Sequence, residues 1–176
     1  MSIHFQSLEL EIQGPKATLW LNRPDVRNAL DEVLLSEITQ AINHLEQDNS
    51  VRVIILAGRG KVFCAGADLN WMKRMAAYSA EENKHDAMGL ATMLKTLKEV
   101  RKPTIARVHG AAFAGGMGLA AACDMVVAEP AAEFCLSEVR IGLIPSTISP
   151  YIIQALGIQA SRRYMLTAER LSAQEA

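Results

Sequence analysis

Three cysteines, Cys64, Cys123 and Cys135, are all the sulfhydryl chemistry this 176-residue chain possesses. They are odd in number, show no CxxC spacing and lie in apolar surroundings, which speaks against a disulfide framework or a thiolate metal site. They read as reduced core residues in a reducing compartment. An excess of charge of one sign is also lacking: 18 basic residues face 19 acidic ones, mixed along the chain, for a net charge of −1. No block is available to track a nucleic-acid backbone, and nucleic acid is not expected as a partner. No run approaches the roughly 18 apolar residues that span a bilayer, and the opening Met-Ser-Ile-His-Phe-Gln has neither a basic segment nor a long apolar one. The expectation is a cytoplasmic protein that does not engage the membrane. GxSxG, HExxH and the GxxxxGK[ST] loop are absent, and Gly58-Arg-Gly60 does not extend to GxGxxG, so metal, nucleoside triphosphate and nicotinamide chemistry find no support.

With half of its residues apolar, the chain can bury a sizeable core and is expected to form one domain over residues 1–176. Phe5 to Ile12 and Ala17 to Leu21 alternate around Gly14-Pro15 and predict a hairpin. From Asp31, a plausible N-cap, Leu34, Ile38, Ala41, Ile42 and Leu45 recur at helical spacing. Arg52 to Ala57 predicts a buried strand, and a polar helix runs from about Ala80 to Arg101, stopped by Pro103. Thr104 to Val108, Met125 to Ala128 and Glu133 to Leu136 predict further strands. Gly116 to Ala122, Thr147 to Leu156 and Ala160 to Thr167 predict helices. The alternation is that of an α/β fold, and spacing alone suits a spiral and a doubly wound sheet equally.

Two glycine-bearing segments carry the chemistry, Phe63-Cys-Ala-Gly-Ala-Asp-Leu69 and Gly110-Ala-Ala-Phe-Ala-Gly-Gly-Met-Gly118. Each follows a strand-like run and precedes a plausible helix, so each places small residues where free backbone N–H groups and a helix dipole can meet an anion. Two such amides aimed at one developing oxyanion would do much for catalysis, since removing a single donor typically costs about 3–4 kcal/mol. The plainer alternative is that these glycines merely permit close packing.

Leu21-Asn-Arg-Pro-Asp-Val-Arg-Asn-Ala-Leu30, the Ala-Gly-Ala-Asp turn, Lys102-Pro-Thr-Ile-Ala-Arg-Val-His-Gly110, Cys123-Asp124 and Phe134-Cys-Leu-Ser-Glu-Val-Arg-Ile-Gly142 stand in the order and spacing of the crotonase superfamily. From about residue 5 onward the chain resembles an enoyl-CoA hydratase/isomerase. Leu136-Ser-Glu-Val-Arg-Ile-Gly-Leu, Ile148-Ser-Pro-Tyr and Arg162-Arg-Tyr-Met-Leu-Thr-Ala-Glu-Arg are most similar to bacterial hydratases of methylglutaconyl-CoA and carboxygeranoyl-CoA. The resemblance implies an α/β fold of the crotonase type, a ββα spiral, with a C-terminal helical region starting at about residue 158 and a helical layer that this chain would lack. It implies an acyl-CoA thioester as substrate, no separate cofactor because coenzyme A belongs to the substrate, and a homotrimer or dimer of trimers.

By motif position, the resemblance puts the two oxyanion donors on the backbone N–H groups of Ala67 and Gly115. Of the two glutamates usual in the family's hydratases, the proton donor to the α-carbon falls on Glu138, and the activator of water falls on Gly118, which has no side chain. A single glutamate is the pattern of the Δ3,Δ2-enoyl-CoA isomerases, so isomerisation stands beside hydration, and a silent acyl-CoA-binding subunit stands beside both. Another water-activating group is sought among Glu81, Glu82, His85 and Asp86, which the resemblance places near the acyl end of the pocket; a carboxylated substrate is the third source. Asp25, Val26, Arg27, Ala29, Ala65, Asp68 and Leu69 are the implied coenzyme A contacts, with Arg27 suited to a phosphate. Asp68 is also a candidate cap for the helix at Leu69, His109 a structural histidine and Asp124 a local pairing residue. Trp71, Met72, Met75, Met88 and Met93 are either an adaptable acyl pocket or plain core.

Overall fold

The computed structural model describes residues 4–176. Met1 to Ile3, part of the segment read for targeting, lie outside the described residues. The hairpin forms as expected from β1 (Leu8–Gln13) and β2 (Lys16–Leu21), with Gly14 at φ +56 in the turn. A 3-10 turn (Pro24–Val26) follows, then α1 (Glu32–Gln47), whose N-cap Asp31 accepts a hydrogen bond from the Leu34 amide at 2.9 Å. The helical stripe foreseen from Leu34 to Leu45 is buried.

β3 (Val53–Gly58) and β4 (Thr104–Val108) add to β2 in parallel, with α2 (Leu69–Met75) and α3 (Ala80–Glu99) between them. β6 (Met125–Ala128) pairs parallel to β4 and closes a five-stranded sheet in the order β1-β2-β3-β4-β6. The apolar, β-branched composition of β3 suits a strand covered on its faces. Met93, Leu94 and Leu97 of α3 pack with the α1 stripe in one core, whereas Ala87 stays at the surface and Leu90 is half-buried.

A second sheet holds the parts the sequence pattern does not reveal. β5 (Ala111–Phe113) pairs parallel to β7 (Glu133–Cys135), and β7 pairs antiparallel to β8 (Arg170–Ser172). Cys64 forms a parallel bridge to Ala112 on the other side of β5. The strand leading into α4 (Gly115–Ala122) is therefore β5 of this small sheet, and not β4 as the sequence suggests. Two sheets in place of one decide for the spiral over the doubly wound arrangement. A 3-10 turn (Glu138–Ile141), α5 (Ser149–Leu156) and α6 (Ile158–Thr167) complete the chain, with Gly157 at φ +78 between the last two. Among the described residues no helix is long and apolar enough to cross a membrane, and no cluster of three or more His, Cys, Asp or Glu residues could hold a metal.

Candidate active site

Three neighbouring parallel segments point their carboxyl ends the same way: Cys64, β5 and β7. The residues just past those ends are Ala67, Gly115 and Glu138, and all three line one cavity of about 510 Å³. A ligand site beyond the carboxyl ends of parallel strands is the usual consequence of such a layout.

Ala67 is presented by a backbone bridge. The Leu30 amide donates to Gly66 O at 2.7 Å and the Asp68 amide donates to Leu30 O at 2.8 Å, so the strand segments are joined by the residues flanking Ala67. In that parallel pattern the N–H of Ala67 itself faces away from Leu30. The Gly115 amide is the first of α4, where no intrahelical acceptor exists. It is turned by Ala114, a non-glycine residue held at φ +48, ψ −120, whose own amide is fixed to Cys135 O at 2.8 Å. Such a backbone is strained and persists only where the surroundings enforce it. Gly66, at φ +100, brings the turns together: a Cβ there would lie 3.1 Å from Phe113 O and 3.8 Å from Gly115 N. A Cβ on Gly116 would run into Cys64 O. The glycines thus do permit close packing, and what packs is one turn against the other.

Glu138 opens its 3-10 turn, and its Oε2 is buried without a hydrogen-bond partner. Burial pushes its carboxyl up from the ordinary range, opposed only by its own backbone N–H. Its Oε2 is therefore withdrawn from solvent at the start of that turn. Position 118 holds no acid and has no room for one, since a Cβ there would come within 2.8 Å of Ile148 Cβ. Ile148 is buried and lines the cavity.

The other expected contacts divide. Ala65 and Leu69 line the cavity, whereas Asp25, Val26 and Arg27 lie exposed on the 3-10 turn beside it and Ala29 is buried behind it. The Ala65 amide donates to Arg27 O at 3.1 Å and ties that turn to the site. Asp68 caps α2, as its second expected role requires. Its carboxylate accepts from the Asn70 and Trp71 amides and from Arg23 at 3.0 Å, it is buried, and it does not line the cavity. Burial raises its pKa, but those amides and the guanidinium outweigh burial and hold it below its ordinary value.

Arg23 and Asn28 are site-shaping residues the sequence reading missed. Arg23 bridges the caps of α1 and α2, reaching Asp31 at 2.9 Å and Asp68 at 3.0 Å. Asn28, buried and at φ +55, donates to the carbonyls of Arg59, Val62 and Phe63 and accepts from the Arg23 amide. The available signal was the pair Arg27-Asn28, since Asn is among the few residues that tolerate the left-handed region. His109 donates to Gly60 O, and Asp124 pairs with Thr104, both as expected. Burial pushes the Cys64 and Cys123 thiols up to about 12, in keeping with inert core cysteines. Of the mixed tract, Trp71, Met72 and Met75 line the cavity; Met93 is core and Met88 faces outward.

A family model described as enoyl-CoA hydratase/isomerase matches residues 11–176. The chain belongs to that family. In this enoyl-CoA hydratase/isomerase fold it superposes on an enoyl-CoA hydratase from Shewanella pealeana with a TM-score of 0.95 and 46% identity, over 98% of this chain and 65% of that one. It is 35% identical to the mitochondrial enoyl-CoA hydratase of Pongo abelii over 98% of this chain and 59% of the relative. It is also 32% identical to the bacillaene synthase dehydratase PksH of Bacillus subtilis, over 99% of this chain and 66% of that protein. The chain thus spans 59–66% of the length of these relatives, less than two thirds of each.

Proposed function

We propose that the protein is an enoyl-CoA hydratase, adding water across the double bond of an α,β-unsaturated acyl-CoA through an enolate. The observation that carries this reading is the meeting of the Ala67 and Gly115 amides with the buried Glu138 carboxyl in one cavity. A thioester oxygen between the two amides draws electrons from the double bond, so the β-carbon accepts water and charge collects where the donors wait. Glu138, whose burial favours the protonated form, is placed to exchange a proton with the α-carbon. Coenzyme A, as part of the substrate, would run past Ala65 and Leu69, with Asp25, Val26, Arg27 and Ala29 forming or backing its outer groove.

A 3-methylglutaconyl-type substrate is the first choice of acyl group. Among the described residues Arg140 is the one basic residue lining the cavity; one guanidinium nitrogen donates to Ala168 O at 2.7 Å, and a carboxylated acyl chain would need such a cation as partner. Isomerisation of a Δ3-enoyl-CoA is the second reading, favoured by the blocked position 118. The active assembly is proposed as a homotrimer or dimer of trimers acting in the cytoplasm.

The test is to incubate the intact protein and Glu138→Gln with crotonyl-CoA and 3-methylglutaconyl-CoA and follow product mass. Gain of one water, lost in Glu138→Gln, is the expected result. An unchanged mass with a moved double bond would replace hydration by isomerisation, and binding without turnover would make the chain a silent acyl-CoA carrier.

A further inference from the structure

We propose that Asp86 is the second carboxylate of this site and takes the proton from the water that adds to the β-carbon. The inference rests on the hydratase reading above and deepens it. Two side-chain atoms are buried without a hydrogen-bond partner among the described residues, Glu138 Oε2 and Asp86 Oδ2. Both belong to residues lining the same cavity. An orphaned buried acceptor is costly, and two in one chamber call for a common hydrogen-bonding guest. Water and a reacting acyl group together are such a guest.

Asp86 is held for this role from one side only. Its Oδ1 accepts from Trp71 Nε1 at 3.0 Å, which fixes the carboxylate plane and leaves Oδ2 free. Trp71 is buried in α2, and its own amide is bound by the Asp68 cap at 3.3 Å. The segment that presents the Ala67 amide therefore also positions Asp86. The other candidates fall away on geometry. Glu81, Glu82 and His85 do not line the cavity, and Glu82 is engaged in a capping box with Ser79. Position 118 is closed by Ile148.

The step balances as follows. The water oxygen bonds to the β-carbon as one of its protons passes to Asp86 Oδ2, and the π pair moves onto the thioester oxygen as an enolate. The enolate collapses as Glu138 gives its proton to the α-carbon, so H and OH are added. The proton on Asp86 returns to the Glu138 carboxylate through solvent at the cavity mouth.

Two readouts on the intact protein separate this step from the rest of the site. Hydration of crotonyl-CoA needs both carboxylates; exchange of the α-protons of butyryl-CoA in D2O, followed by NMR, needs only the two amides and Glu138. Asp86→Asn keeps an acceptor for Trp71 and is expected to lower hydration at least about 100-fold while α-exchange stays within about threefold. Trp71→Phe, which leaves the carboxylate but frees its plane, is expected to fall between wild type and Asp86→Asn in hydration. Hydration by Asp86→Asn at the wild-type rate would overturn the proposal, as would loss of both activities together, which marks a structural role. A wild-type protein that exchanges α-protons but never hydrates would overturn the role of Asp86 and leave the enolate site standing. One that does neither would sink the hydratase reading itself.

Discussion

A carboxyl group that folding withdraws from water holds its proton to higher pH, and Glu138 is in that position because its Oε2 is buried and unpaired. Between the ordinary carboxyl value and the raised one, the native state keeps a proton that the unfolded chain has released. Stability therefore falls as pH rises through that window. Glu138→Gln removes the titration, so its Tm relative to wild type is expected to be constant below about pH 4, to climb through the window and to level off above it. A difference that does not vary with pH would show that burial is not what perturbs the group. Gly118 is set by sterics in the same neighbourhood. Gly118→Ala is expected to cost about 1–3 kcal/mol in urea unfolding despite better helix propensity, because the new methyl meets Ile148. In an Ile148→Ala background that cost should largely vanish.

At the scale of elements, the long periodic segments were legible and the short ones were not. The stripe of α1 and the β-branched run of β3 each repeat often enough to reveal a period. β5, β7 and β8 have three residues each, too few to distinguish a strand from a loop, although β7 lay within a longer predicted strand. The site suffers from the same limit, because β5 and β7 align Gly115 and Glu138. Those positions were reached through motif resemblance, not through the pattern of the elements. Arg23 and Asn28 were missed because a polar loop residue looks solvated until its partners, distant in sequence, are known. The loop they organise gives a further prediction. Asn28→Gly is expected to lower stability by about 3 kcal/mol through loss of buried hydrogen bonds, and Asn28→Ala by about 1 kcal/mol more through its left-handed backbone. Chemical denaturation of the two variants measures both amounts.

For the whole molecule, the open edge of the large sheet is the surface feature that bears on assembly. Among the described residues β6 pairs only with β4, and Met125, Val126 and Val127 are 48%, 46% and 59% exposed, so apolar side chains stand uncovered on both faces of an edge strand. Such an edge invites association. If it is buried between subunits of the proposed trimer, Val127→Lys should shift the light-scattering mass toward that of one subunit, and an unchanged mass would place the interface elsewhere. The three interior sulfurs have a further consequence, for labelling. With Cys64 and Cys123 near 12, about one thiol in 10,000 at each of those positions is ionised at pH 8, and Cys135 is buried too. The native surface is therefore blank to maleimides, and a single cysteine placed at the exposed Leu69 would carry a fluorophore to the rim of the cavity, where it would report whether the proposed acyl-CoA enters.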